Sequence, residues 1–195
     1  VAFGSTRVSW DAKDLTLENT DFESLRENLS YLPRLVTLKL SRIQCTQTEI
    51  QELHEAYPKL KMTYTVELLG REMDWDTEEL DLSGLQREDV AQTAEKLPLL
   101  TALRTVELMD EAGGCDLTPQ DVAALQAETE AHFHYVFDLF GKQVSTDDER
   151  IEFRNMRLGE KYEDELRQGL EILRDCDYLL LENCRFDNEL LAQLR

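Results

Sequence analysis

Leu179-Leu180-Leu181-Glu182-Asn183-Cys184-Arg185-Phe186 is the stretch whose reading decides the fold. Leu179 and Leu181 alternate as the inward side chains of a half-buried strand do, and further apolar side chains follow at Cys184 and Phe186. The same signal returns along the chain as Leu15-Thr16-Leu17, Leu38-Lys39-Leu40, Leu80-Asp81-Leu82, Val106-Glu107-Leu108 and Ile151-Glu152-Phe153. A short strand that recurs in this way belongs to a repeat architecture, in which neighbouring units bury each other's apolar faces.

A longer period surrounds the strands. Val1-Ala2-Phe3-Gly4, Val66-Glu67-Leu68-Leu69-Gly70 and Val136-Phe137-Asp138-Leu139-Phe140-Gly141 each run into a glycine that suits a hairpin turn. The strands expected before those turns are Met62 to Leu69 and His134 to Phe140, with return pieces Arg71 to Trp75 and Lys142 to Thr146. Val1 to Trp10 reads as the same hairpin truncated. The whole chain, 1–195, is thus one repeat domain of long units 1–65, 66–135 and 136–195, the last cut short.

Helical stripes lie between the strands. Phe22, Leu25, Leu29 and Leu32 make one, Val90, Ala94 and Leu97 a second, and Leu166, Leu170 and Leu173 a third. Leu32-Pro33 and Leu97-Pro98 close the first two, because proline cannot continue a helix. Thr48-Glu49-Ile50-Gln51 reads as a capping box, and Thr118-Pro119-Gln120-Asp121 as an N-cap threonine with proline at the first helical position.

The repeated string Leu-x-Leu-x-x-apolar-x-apolar stands as Leu15-x-Leu17-x-x-Thr20-x-Phe22, Leu38-x-Leu40-x-x-Ile43-x-Cys45 and Leu80-x-Leu82-x-x-Leu85. It returns as Ile151-x-Phe153-x-x-Met156-x-Leu158 and Leu179-x-Leu181-x-x-Cys184-x-Phe186. This resembles the leucine-rich repeat family, in its forms with a helix on the convex side. The resemblance implies an α/β solenoid of short parallel strands lining a concave face, interrupted here by β-hairpins. The family's usual Asn at the sixth position is replaced by Thr20, Ile43, Leu85, Glu111, Met156 and Cys184, of which only Cys is a common substitute. Packing is therefore expected to do the work that the Asn side chain does elsewhere.

Composition narrows the function. The 41 acidic residues outnumber the 21 basic ones and give a net charge of -20, a field that repels nucleic-acid phosphates and anionic membranes. No apolar run is long enough to span a bilayer. Cys45, Cys115, Cys176 and Cys184 form no C-x-x-C pair, so the compartment stays open, with a secreted or cell-surface setting favoured over the cytoplasm. The chain opens on Val1 and is expected to be part of a longer, bacterial-type protein.

Chemistry-bearing motifs are sparse. His132-Phe133-His134 would place two imidazoles on one face of a strand, a start for a transition-metal site, yet no third ligand is near in sequence. The acidic runs Asp74 to Glu79, Asp110-Glu111 and Asp147 to Glu149 lack calcium-loop spacing. Gly113-Gly114 is followed by no Lys-Ser/Thr, and no nucleophile motif is present. The expectation is a non-enzymatic module without cofactor or metal.

The residues between the strand leucines then become the candidate partner-binding set: Lys39, Asp81, Glu107, Met109, Arg150, Glu152, Arg154, Tyr178, Leu180 and Glu182. Tyr and Arg beside apolar neighbours have the composition of interface hot spots. The expected partner is a protein or peptide, not nucleic acid and not a membrane interior. The alternatives are a structural spacer with no ligand of its own and, further off, a metal- or carbohydrate-dependent domain.

Overall fold

The computed structural model describes residues 1–4 and 6–186. The chain divides into two compact units. The first is Val1–Glu78 with Gln92–Leu103; the second is Glu79–Ala91 with the described residues from Arg104 onward.

In the first unit, β1 (Ala2–Phe3) and β2 (Thr6–Arg7) form a short antiparallel hairpin around Gly4. Next come β3 (Asp14–Glu18), α1 (Phe22–Asn28), β4 (Thr37–Ser41), α2 (Gln47–Ala56), β5 (Lys61–Leu68) and β6 (Arg71–Asp74). Their sheet runs β3-β4-β5-β6, the first three strands parallel and the last antiparallel. Leu15, Leu38 and Met62 form one row across the ladder, and Leu17, Leu40 and Tyr64 another. All six are buried, as the period-2 pattern requires. The Tyr64 hydroxyl donates to the Leu99 carbonyl at 2.9 Å, which satisfies its one buried polar group.

The second unit repeats the plan. It begins with β7 (Glu79–Asp81), followed by α3 (Val90–Lys96), a helix whose residues are divided between the units. It continues with β8 (Thr105–Glu107), α4 (Pro119–Gln126), β9 (His132–His134), β10 (Val136–Leu139) and β11 (Lys142–Ser145). Finally come β12 (Arg150–Arg154), α5 (Glu163–Ile172) and β13 (Tyr178–Glu182). β7-β8-β9 and β12-β13 are parallel sheets, and β10-β11 is an antiparallel hairpin. Among the described residues the architecture is mixed α/β, with several small sheets and no closed barrel.

Several expectations need refining. The strand expected over His134 to Phe140 is broken at Tyr135, whose backbone N–H donates to Thr146 Oγ1 at 2.9 Å instead of continuing a ladder. The Thr146 hydroxyl in turn donates to the Phe133 carbonyl at 2.5 Å, so one buried side chain stitches the break. The capping box of α2 is Thr46 with Glu49, two residues earlier than Thr48. Cys45 just before that cap and Ile50 in the first turn are both buried, the placing of a hydrophobic staple, whereas a start at Thr48 would put polar Gln47 there.

The cap at Thr118 is as expected, with Pro119 at the first helical position, and it proves to be a full capping box: the Thr118 hydroxyl accepts from the Asp121 N–H, and Asp121 accepts from the Thr118 N–H at 2.8 Å. Replacing Thr118 by alanine removes this cap and is expected to lower stability by about 1 kcal/mol. Urea denaturation checks this, and an unchanged midpoint would refute the role given to the cap.

The two full hairpins turn at Leu69-Gly70 and Phe140-Gly141, with φ positive at both central residues, as a type I′ turn demands. The strand-end turns also share a conformation. Asn19, Arg42, Asn155 and Asn183 each follow a strand directly with φ between 50° and 57°. Asparagine tolerates this left-handed region better than most residues. In the second unit the Asn183 side-chain amide also donates to Asn155 Oδ1 at 2.9 Å, linking neighbouring turns.

Leu179 and Leu181 are half-buried rather than core residues. Among the described residues β13 pairs only with β12, whereas Leu38, Leu40 and Val106 lie in strands paired on both sides and are fully buried.

Candidate binding face

Register assembles the candidate face of the second unit. Across β7, β8 and β9, Leu80, Val106 and Phe133 form one row and are buried. The rows on either side are Glu79-Thr105-His132 and Asp81-Glu107-His134. Because side chains alternate across a sheet, both polar rows project from the face opposite the core. They line a groove of about 500 Å³. Asp81, Glu107 and His134 also line a second, larger groove of about 680 Å³, joined there by Met109 and the Asp110–Gly113 loop.

Local bonds hold this lining in place. The Met109 N–H donates to Glu107 Oε1 at 2.8 Å, and the Ser83 N–H to Asp81 Oδ1 at 3.0 Å. Asp110 Oδ1 accepts from the N–H groups of Ala112 and Gly114 at 2.9 and 2.7 Å, which folds the loop. Gly113, at φ 77°, supplies the backbone conformation that side-chain-bearing residues rarely adopt.

The two histidines acquire carboxylate partners that lie far away in sequence. His132 Nε2 is 2.5 Å from Asp147 Oδ1, and its Nδ1 is 2.6 Å from Asp175 Oδ2. His134 Nδ1 bonds the other oxygen of Asp147. Partial burial opposes charge on His132, but the Asp147 and Asp175 carboxylates outweigh it and raise the ring's pKa above its ordinary value. Asp147 is likewise penalised by burial, yet its bonds to His132 and His134 hold its pKa below the usual value. Among the described residues, no three His, Cys, Asp or Glu side chains are grouped so as to hold a metal ion.

The other predicted residues fall into separate groups. Arg150, Glu152, Arg154, Tyr178, Leu180 and Glu182 do come together, on β12 and β13. There the charges largely satisfy one another. Glu152 accepts from Arg150 at 2.5 Å and from Arg154 at 3.1 Å, and Arg154 reaches Glu182 at 2.6 Å. The Arg150 guanidinium stacks 4.0 Å from the Tyr178 ring centroid, so one face of the expected hot-spot tyrosine is already occupied. Leu180 stands opposite Glu152 and is half-buried. Lys39 lies in the first unit, exposed on β4 between Thr16 and Thr63.

Thr105, which flanks a strand residue as Glu107 does, reads from the sequence as part of the same face, whereas Glu79 and Asp147 stand there only as members of acidic runs and Asp175 is not singled out. Glu79 immediately precedes the apolar Leu80, so the alternation used for Asp81 and Glu107 would have placed it on this face. Asp147 and Asp175 have no such local signal. Among the described residues no helix is long and apolar enough to cross a membrane. No protein-family model, curated protein or solved structure matches the chain.

Proposed function

We propose that this chain is a non-catalytic, leucine-rich-repeat-like module that binds a protein or peptide segment through its strand face. The observation that carries the reading is the pair of grooves over β7-β8-β9, where polar side chains from three neighbouring strands stand in register. A parallel sheet of this kind offers an extended partner a row of contact positions spaced by one strand at a time. The net charge of -20 supports a partner that is not itself strongly anionic. The alternative of a spacer draws its support from the β12-β13 face, whose arginines and carboxylates are paired among themselves.

Selection of peptides from a displayed random library on the purified chain tests the proposal. Peptides are expected to be enriched, and Thr105→Lys, an exposed change in the middle of the three strands, is expected to weaken them by about tenfold or more, which is 1.4 kcal/mol. Tyr178→Ala combined with Arg154→Ala leaves binding unchanged if this groove is the site. Failure to enrich any peptide, or equal binding to the Thr105 variant, overturns it.

A further inference from the structure

We propose that His132 is a pH-operated clasp: as an imidazolium it joins Asp147, in the turn after β11, to Asp175, in the turn before β13, and as a neutral ring it holds only one of them. The argument is one of donor count. An ionised carboxylate only accepts hydrogen bonds, and a neutral imidazole carries one N–H. Both ring nitrogens of His132 sit within hydrogen-bond distance of a carboxylate oxygen, at 2.5 and 2.6 Å, so both bonds need both nitrogens protonated. A proton on Asp147 Oδ1 would let that carboxyl donate to His132 Nε2, but it would remove the charge that strengthens the bonds its Oδ2 accepts from His134 and, at 3.2 Å, from Ser145 Oγ.

The surroundings favour the charged ring. His134 shares β9 with it, and Glu79, Asp81 and Glu107 line the same groove from β7 and β8. Asp148 lies in the Asp147 turn and bonds the Ser145 N–H at 2.9 Å. The Arg174 guanidinium, next to Asp175 in sequence, is turned to the carbonyls of Gln126 and Thr129, and the backbone carbonyl of Arg104 accepts from the His132 backbone N–H at 2.7 Å.

What the clasp controls is the entry to the β12-β13 sheet. The N–H groups of Asp177 and Tyr178 donate to the Glu149 carbonyl at 3.0 and 3.1 Å, a step just two residues past each clasped aspartate. Because the folded-state pKa of His132 is raised, its contribution is complete below the unfolded histidine value and is lost as pH rises through the folded one. Because that of Asp147 is depressed, its contribution is present above the unfolded carboxylate value and is lost as pH falls through the folded one. The clasp is therefore complete only in the window between them.

A titration of the three histidine rings by proton–carbon NMR on the whole chain tests this, with His54 on α2 as the reference in the same spectra. His132 is expected to titrate above the ordinary histidine value. Asp175→Asn, a change at an exposed carboxylate, lowers the His132 midpoint, and so does Asp147→Asn. Amide-exchange protection at Asp177 and Tyr178, corrected for the intrinsic effect of pH, falls about two- to fivefold above the His132 midpoint, the range that an exposed ion pair supports. In His132→Gln that step disappears. A His132 midpoint at or below the ordinary value, indifference to Asp175→Asn, or protection without a step would each overturn the clasp.

Discussion

Phe153→Ala is expected to lower stability by about 3–5 kcal/mol, the largest effect of any single change considered. Phe153 is 2% exposed and supplies the second inward residue of β12. Its ring packs edge-on against Phe140 at 5.1 Å, and the Lys142 ammonium lies 5.5 Å from its centroid. Truncation leaves a cavity and also withdraws support from Phe140, a residue held at φ 58° where a bulky side chain is strained. Phe140 would keep its edge contact with Tyr162 at 5.7 Å and the bond from its N–H to Glu165 at 2.7 Å. Chemical denaturation followed by ellipticity reads the loss. Trp10 and Trp75, the only two tryptophans, both lie in the first unit, so their fluorescence reports that unit separately. A Phe153→Ala chain whose ellipticity midpoint matches the unaltered protein would show that this ring is not a core element.

Gly169→Leu is expected to cost stability toward the upper end of about 1–3 kcal/mol, although propensity alone argues the other way. A glycine inside a helix is worth roughly 0.5–1 kcal/mol less than alanine, so α5 should gain from any ordinary helix former. Packing decides against it. A Cβ at position 169 would stand 3.0 and 3.3 Å from the two methyl carbons of Leu139 and 3.4 Å from Phe137 Cε2. Leu139 is fully buried on β10 and has little room to retreat. Gly169→Ala, which adds only that Cβ, is expected to fall between the leucine variant and the unaltered protein. Thermal melting checks the order, and a leucine variant that melts at or above the original temperature would sink the close-approach argument.

Much of the local architecture was legible because it depends on period and turn chemistry. The Leu-x-Leu pairs mark strands, the stripes at Phe22 and Leu166 mark helices, and the glycines at 70 and 141 mark the hairpins. The Asn that follows Glu18, Arg154 and Glu182 was equally open to reading, since a strand that ends in a left-handed turn favours that residue. Other features turn on tertiary partners. Thr46-x-x-Glu49 and Thr48-x-x-Gln51 are both capping-box strings, and burial of Cys45 beside Ile50 selects the first. Nothing near His132 announces carboxylates 15 and 43 residues away. The arginines at 150 and 154 read as available for a partner, but register sets them against Tyr178 and Glu182 within the chain.

The hairpin strand β6 has a further effect, on what the molecule avoids. β5 gives its first half, Lys61 to Tyr64, to β4 and its second half, Thr65 to Leu68, to β6. An uncovered edge would present a row of free N–H and C=O groups to any other chain, the ordinary starting point for edge-to-edge aggregation. Here the return strand occupies the second half of that edge, and its sequence Arg71-Glu72-Met73-Asp74 carries three charges in four residues. In the first unit the hairpin thus withholds half of the β5 edge from any foreign strand and places charge beside it, a local guard against edge-to-edge pairing.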